Sequence, residues 1–148
     1  MTQEKKQLLL IDISARLPYG VLCDFVYNIG HPQKLLSVSL DEKYQIHLDS
    51  DEYVFGSGKS YSPSETIVDN IKPYLRPLSS MTEEEEKEFN HVFELELAAL
   101  EEPAVGHTIK SAASNAFVID FYNRHHFDFR GLIPMGLAFE AKEGMYKF

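Results

Sequence analysis

The sequence predicts an α+β protein in which an antiparallel β-meander of three to five strands packs with about three helices. Apolar residues recur at helical spacing near the N-terminus, and they alternate at a period of two between residues 20 and 56. A helical period returns after residue 82. Helices and strands are therefore segregated along the chain, which is typical of α+β folds rather than of alternating βα units.

The first predicted helix is amphipathic and covers residues 4–16. Its apolar side chains are spaced three and four apart, and Asp12 and Arg16 occupy other positions, off this apolar stripe. Pro18 and Gly20 follow directly and end the helix, because proline cannot continue the helical hydrogen-bonding pattern and glycine favours the turn beyond it.

Alternating segments predict the β-meander at residues 20–56. Short polar links such as "IGHPQ" join these segments, and short links imply antiparallel neighbours. A loop follows the meander, and a fifth short strand around Ser60 is compatible with its sequence. The alternating segments are "GVLCDFVYN", "KLLSVSL", "YQIHLD" and "EYVFG".

The proline-containing segment at residues 64–81 is expected to lie outside the centre of the sheet. Pro73 and Pro77 argue against a long helix, and they also argue against a central strand because proline lacks the backbone N–H. We therefore predict a short helix or turn at residues 64–70, followed by an extended segment on the surface of the core.

The second helix, residues 82–101, has the clearest local signal. Thr82 and Glu85 have the spacing of a capping box, in which each side chain accepts a hydrogen bond from the other residue's backbone N–H. A third helix is predicted at residues 111–125, beginning at a serine. The predicted core side chains of these two helices are Phe93, Leu97, Phe117 and Phe121.

These elements are expected to form one domain, because 148 residues suffice for a single core. The predicted organisation of residues 1–148 is helix 4–16, β-meander 20–56, proline-containing segment 64–81, helix 82–101, helix 111–125 and C-terminal tail 127–148.

Composition restricts the class of function. The chain is acidic, with 14 Lys and Arg against 23 Asp and Glu and a formal net charge of −9, so direct nucleic-acid binding is not expected. Its single cysteine, Cys23, permits no internal disulfide and no cysteine-based zinc site. The sequence contains neither a signal peptide nor a long apolar span, so we expect a cytoplasmic protein that does not enter a membrane.

The segment "NRHHFDFRGLIPMG" carries the candidate catalytic residues, which are His126, Asp128 and Arg130. In a catalytic interpretation, His126 or Asp128 would be a general acid or base beside a positioning arginine. The adjacent histidines His125 and His126 would project about 100° apart on a helix, so they are poorly placed to bind one ion. We therefore predict no metal site and no cofactor.

A structural interpretation of the same segment is favoured. Phe127 and Phe129 would share one face of an extended chain and bury their rings, whereas Asp128 and Arg130 would pair on the other face. The segment would then hold the C-terminal tail against the helix. No motif for a nucleophile accompanies the segment, and catalytic sites need convergent groups.

Two longer segments resemble an uncharacterised family of short bacterial proteins from gut anaerobes and their prophages and mobile elements. They are "IKPYLRPLSSMTEEE" and "IDFYNRHHFDFRGLIPMGLAFEAKEGMYKF", and the N-terminal "QLLLIDISARLPYGV" is also similar. The resemblance covers the first helix, the proline segment, the start of the second helix and the C-terminal third. It implies no catalytic residues.

These observations favour a non-catalytic protein-interaction or regulatory module of a mobile element or prophage, with the meander as its contact surface and another protein as its partner. The alternative is a small hydrolase-like enzyme that uses His126, Asp128 and Arg130. The two hypotheses differ in whether these three side chains should face one pocket.

Overall fold

A computed structural model describes residues 1–39, 45–49, 53–55, 58–60, 64–99 and 107–147. It confirms the α+β class, with three α-helices in these ranges. The helices are α1 (Gln3–Arg16), α2 (Glu83–Ala99) and α3 (His107–Arg124). The strands are β1 (Leu22–Phe25), β2 (Asn28–Val38), β3 (Gln45–Asp49), β4 (Tyr53–Phe55), β5 (Gly58–Ser60), β6 (Ser64–Ile67), β7 (Ile71–Leu75) and β8 (Phe139–Glu140).

Six of the strands form one sheet in the order β6-β3-β2-β1-β7-β8, and β4 pairs with β5 in a separate hairpin. Neighbours in the large sheet are antiparallel except for β7 and β8, which run parallel. The predicted antiparallel meander is therefore only partly right. Strands β1, β2 and β3 follow one another as expected, but β7 and β8 come from later in the chain and extend the sheet beyond β1.

The first hairpin turns earlier than predicted. Strand β1 ends at Phe25, and the predicted "IGHPQ" link lies inside β2. The pairing of β1 with β2 shifts between Cys23 and Phe25, which forms a bulge on β2. Asp24 supports this bulge, because its Oδ2 accepts hydrogen bonds from the N–H groups of Gly30 (2.7 Å) and His31 (3.0 Å).

Pro73 lies inside the sheet, contrary to the expectation that it would exclude a central strand. Strand β7 pairs with β1 on one side and with β8 on the other. The N–H of Val26 donates to the carbonyl of Asn70, so alternate residues of β7 bond to β1 and Pro73 faces the other side. There β8 pairs only with Tyr74 and Leu75, so the missing N–H of Pro73 breaks no ladder hydrogen bond.

The main apolar core joins α1 to the sheet. Each aliphatic side chain that is fully buried here contributes about 1.5–3 kcal/mol relative to exposure. Tail residues complete the core, so the tail is part of the folded unit rather than an appendage. The core residues include Leu9, Leu10 and Ile13 of α1, Val21, Cys23, Leu35, Ile46, Leu48, Ile71 and Leu75 of the sheet region, and Leu132, Leu137 and Ala138 of the tail.

A second packing centre is aromatic and joins α2, α3 and the segment after α3. The ring of Phe89 lies 5.9 Å from that of Phe117 and 5.1 Å from that of Phe121, and Phe121 also stacks on Phe127. Phe121 is fully buried, as predicted, and Phe117 is partly buried. The side chains of Phe93 and Leu97 lie outside the described residues.

Helix boundaries follow local signals. The N-terminus of α2 has the predicted capping box: the N–H of Glu85 donates to Thr82 Oγ1 (3.1 Å), and the N–H of Thr82 donates to Glu85 Oε1 (3.2 Å). Helix α3 begins at His107, which follows Gly106 in the sequence, rather than at the predicted residue 111. Ser111 therefore lies in the first turns of the helix instead of starting it. Among the described residues, no helix is both long and apolar enough to cross a bilayer.

Candidate functional site

The candidate segment begins with the C-terminal cap of α3. The N–H of Phe127 donates to the carbonyl of Tyr122 (2.9 Å), and the N–H of His126 donates to that of Asn123 (3.2 Å). This pair of bonds defines a Schellman motif, which places His126 at the position where glycine usually lies. His126 has φ 60, and among the described residues it is the only non-glycine with positive φ. The chain therefore keeps a side chain here at a backbone cost of about 1–2 kcal/mol.

The His126 imidazole is held from two sides. Its Nε2 lies 3.1 Å from the carbonyl oxygen of Tyr19, so the proton is assigned to Nε2. Its ring stacks on that of Tyr146 with centroids 4.0 Å apart. Burial and, to a smaller extent, the nearby Arg16 guanidinium together lower the pKa of His126 to about 3. The imidazole is therefore neutral at physiological pH.

Asp128 and Arg130 do not form the predicted pair. The Asp128 carboxylate accepts hydrogen bonds from the N–H groups of Leu132 (2.7 Å) and Ile133 (2.9 Å), so it caps the turn that follows. Arg130 instead forms an ion pair with Asp12 of α1, with its Nε 3.3 Å from Asp12 Oδ1. The reason is the turn: with Gly131 at φ 75, the chain folds back on Asp128 instead of continuing in an extended conformation.

A buried ion pair in α1 was not anticipated. Asp12 and Arg16 were expected off the apolar stripe, but both side chains are fully buried. Arg16 donates to both carboxylate oxygens of Asp12 (2.9 and 3.0 Å) and to the carbonyl of Phe127 (2.7 Å). The segment after α3 covers this side of α1, and that long-range contact has no local sequence signal.

His125 belongs to a different group of contacts, at the start of α2. Its Nδ1 lies 3.1 Å from Glu85 Oε2, and its ring packs on that of Phe121 at 4.4 Å. Arg76 binds the Glu85 carboxylate with two short hydrogen bonds and lies over the ring of Phe127. Burial would raise the pKa of Glu85, but the hydrogen bonds from Arg76 and Thr82 outweigh it and lower the pKa to about 2.

The three candidate catalytic residues therefore have separate partners. His126 lines an open cavity, and Asp128 and Arg130 line neither this cavity nor the cleft beside α2 in the part of the chain that is described. The geometry gives each side chain a role in joining α3, α1 and the tail. The ion partner of Arg130 is Asp12 rather than the predicted Asp128.

Two cavities border the C-terminal tail. One, of about 530 Å³, lies between the start of α2 and the tail and is lined by both acidic and basic groups, among them Arg76, Glu85 and Glu143. The other, of about 450 Å³, is lined by His126 and Tyr146 and by three cationic side chains. We call the second one the cationic cavity; its cations are Lys34, Arg124 and Lys147.

The turn of the β1–β2 hairpin exposes apolar side chains to solvent. Its tip, residues 25–32, includes Tyr27 and Ile29, which are 70% and 61% exposed, and Val26, which is also exposed. The tip has a defined shape, because Asp24 holds the backbone of its returning strand and also accepts a hydrogen bond from the hydroxyl of Tyr74 (2.9 Å). Asp24 is fully buried. We refer to residues 25–32 as the hairpin tip.

The cysteine and the possible metal ligands among the described residues do not form a further catalytic or metal site. Cys23 is buried, and burial, with the charges of Asp12 and Asp24, raises the pKa of its thiol above the ordinary range. Such a thiol is a poor nucleophile. The described residues contain no cluster of three or more histidine, cysteine, aspartate or glutamate side chains that could hold a metal ion.

Comparison with known proteins found no matching family model, no matching curated protein and no matching solved structure. The resemblance to short bacterial proteins of prophages and mobile elements therefore stays a prediction.

Proposed function

We propose that this chain is a non-catalytic protein-interaction or regulatory module of a mobile element or prophage, and that its contact surface is the hairpin tip. The observation that carries the proposal is the exposure of Val26, Tyr27 and Ile29 together on one preorganised turn. Tyrosine is enriched in the centres of protein interfaces, and charged residues are depleted there. The hairpin tip has this composition.

The hairpin tip carries no charged side chain. Charged residues make up 25% of the sequence, yet the tip reads "FVYNIGHP" and contains no Asp, Glu, Lys or Arg. The expected partner is another protein that offers an apolar pocket for Tyr27 and Ile29. Because the chain carries a formal net charge of −9, a basic rim around that pocket would favour association.

Preorganisation supports the same conclusion. The Asp24 carboxylate accepts hydrogen bonds from Gly30, His31 and Tyr74, so little backbone freedom in the tip remains to be lost on binding. A tip that is already ordered loses less conformational entropy than a flexible loop. Most of the contact energy of Tyr27 and Ile29 would then appear as affinity.

The alternative, a hydrolase-like enzyme, would use His126, Asp128 and Arg130. It needs these groups to converge on one substrate. Their present partners, the Tyr19 carbonyl, two backbone N–H groups and Asp12, favour the non-catalytic proposal. Hydrolysis of a substrate by the purified chain that is lost in His126→Ala would reverse this preference.

The test compares two isoleucines with similar exposure. Ile29 of the hairpin tip is 61% exposed and Ile11 of α1 is 56% exposed. Proteins from native cells are cross-linked to the wild type, to the double variant Tyr27→Ser with Ile29→Ser, and to Ile11→Ser as the control. A partner that is lost only with the double variant is then purified, and its affinity for each variant is measured by calorimetry.

We expect the tip variant to weaken binding by about 30-fold or more, which corresponds to about 2 kcal/mol at an interface hot spot. The control should bind like the wild type. The proposal fails if no partner depends on the tip, or if Ile11→Ser has the same effect. If the wild type self-associates and the tip variant does not, the partner of the tip is a second copy of the chain. If the wild type binds vesicles and the tip variant does not, the tip binds a membrane instead of a protein.

A further inference from the structure

We propose that the cationic cavity is a binding site for a small phosphate-bearing anion. The cavity has a volume of about 450 Å³, opens to solvent, and is lined by Lys34, Arg124 and Lys147 together with His126 and Tyr146. This proposal does not depend on the hairpin tip, because no residue of the tip lines the cavity.

The charge around the cavity is opposite to that of the protein as a whole. Acidic residues outnumber basic ones by 23 to 14, yet three of the cations line this cavity and none of its lining residues is acidic. Among the described residues, these three cations form no ion pair with a carboxylate. Like charges that converge without a counter-ion repel one another, so an anion bound between them would be stabilised.

Three distant parts of the chain supply the cations. Lys34 lies on β2, Arg124 is the last residue of α3, and Lys147 belongs to the tail. Gly20 leaves room for the Lys34 side chain, because a Cβ atom at Gly20 would approach Lys34 Cε to 3.1 Å. Gly20 itself has φ 68, so its backbone also favours glycine. The fold therefore provides space for Lys34 at the edge of the cavity.

His126, which lines the cavity, has a strained backbone conformation. His126 occupies the left-handed cap of α3, and its imidazole stacks on Tyr146. Glycine at this position would avoid the backbone strain, and strained residues cluster at binding and active sites. The His126 ring lies between the Tyr19 carbonyl and Tyr146, and all three residues line the cavity.

The donor set fits phosphate better than a single carboxylate. A phosphate monoester or diphosphate carries more than one negative charge and several acceptor oxygens, so three cations can bind it together. The planar guanidinium of Arg124 can bind two phosphate oxygens at once, whereas the ammonium groups of Lys34 and Lys147 act as point charges. The phosphate could belong to a free small molecule or to a lipid headgroup.

The first experiment uses inorganic pyrophosphate as the probe, titrated into the full chain at constant ionic strength and followed by NMR. The site variant carries Lys34→Gln, Arg124→Gln and Lys147→Gln. The control variant carries Lys5→Gln, Lys87→Gln and Lys142→Gln, so it loses the same charge from three other exposed cations. Both variants should fold, because exposed substitutions change stability little.

We expect pyrophosphate to shift the ring resonances of His126 and Tyr146, and we expect its affinity to fall about tenfold or more in the site variant. The control variant should change the affinity by less than about twofold, since net charge alone acts weakly at a distance in salt. Arg124→Lys, which keeps the charge but loses the planar fork, should bind less tightly than the wild type.

Three results would overturn the proposal. The first is the absence of saturable binding up to about 10 mM pyrophosphate, for both the free probe and anionic vesicles. The second is an equal loss of affinity in the site and control variants. The third is citrate binding as tight as pyrophosphate binding, which would refute the phosphate class. Flotation with phosphatidic acid vesicles, whose headgroup is a phosphate monoester, identifies the source: binding to vesicles alone, lost in the site variant, assigns the phosphate to a lipid headgroup.

Discussion

Replacing Asp12 by Ala should strongly destabilise the protein, because it leaves a buried guanidinium without its carboxylate. The Arg16 and Asp12 side chains are fully buried, and Arg16 Nε lies 2.9 Å from Asp12 Oδ2. Arg16 is also held by the carbonyl of Phe127 at 2.7 Å. The guanidinium therefore cannot move to solvent without separating α1 from the segment after α3.

Removing one partner of a buried ion pair typically costs about 3–5 kcal/mol. The bond from Arg16 to the Phe127 carbonyl survives the substitution, which places the expected loss toward the lower end of that range. The second cation, Arg130, is partly exposed and lies 3.3 Å from Asp12. Its ion pair should add no more than about 1 kcal/mol.

The measurement is the free energy of unfolding from urea denaturation at pH 7, with far-UV circular dichroism as the signal and an unchanged m-value as the criterion for two-state comparison. The matched control is Asp69→Ala. It breaks the ion pair with Lys6 at 3.1 Å, whose side chains are 22% and 35% exposed, so its cost should stay below about 1 kcal/mol. If Asp12→Ala cost no more than Asp69→Ala, the assigned role of the buried pair would be wrong.

Three further predictions test other contacts. Phe127→Ala should cost about 3–5 kcal/mol because the ring is fully buried, and more than Phe129→Ala or His126→Ala; equal urea midpoints would contradict this. Glu85→Gln should remove stability that the wild type has above about pH 4.5 and loses as the pH falls toward 2, because the folded-state pKa is lowered to about 2; the difference in free energy of unfolding between the two proteins should therefore be larger at pH 7 than at pH 3, and an equal difference at both would contradict this. The pKa of His126 is lowered to about 3 by burial, so the unfolded state binds its proton more readily and stability should fall as the pH drops from 6.5 toward 3. His126→Asn, which tolerates the left-handed backbone, should show a smaller loss between pH 7 and pH 5, and an unchanged slope would exclude this histidine as its source.

Features that depend on neighbouring residues could be predicted from the sequence. The capping box of Thr82 and Glu85 spans one helical turn, so the two residue types and their spacing suffice to identify it. The α+β class and α1 were predictable for the same reason, since hydrophobic period reports local geometry. Phe121 was identified as a core residue from the apolar side of its own helix.

Pairing between distant segments could not be predicted in this way. Pro73 enters the sheet because β8 leaves its missing N–H unopposed, and β8 lies more than sixty residues further along the chain. Asp12 and Arg16 have the spacing of a solvent-exposed helical ion pair, and only the segment after α3 makes them buried. An apolar period of three to four residues predicts which side of a helix is buried, but it does not predict which distant segment packs against the helix.

The α+β class and the approximate positions of α1 and α2 could be predicted from the sequence. The three-dimensional structure was needed to show that Asp128 caps the following turn, that Arg130 pairs with Asp12, and that Lys34, Arg124 and Lys147 line one cavity. The physical reason is the separation along the chain between the residues that interact. Helical periods and caps are encoded within a few residues, whereas ion pairs and cavities depend on which distant segments the packing of the core brings together.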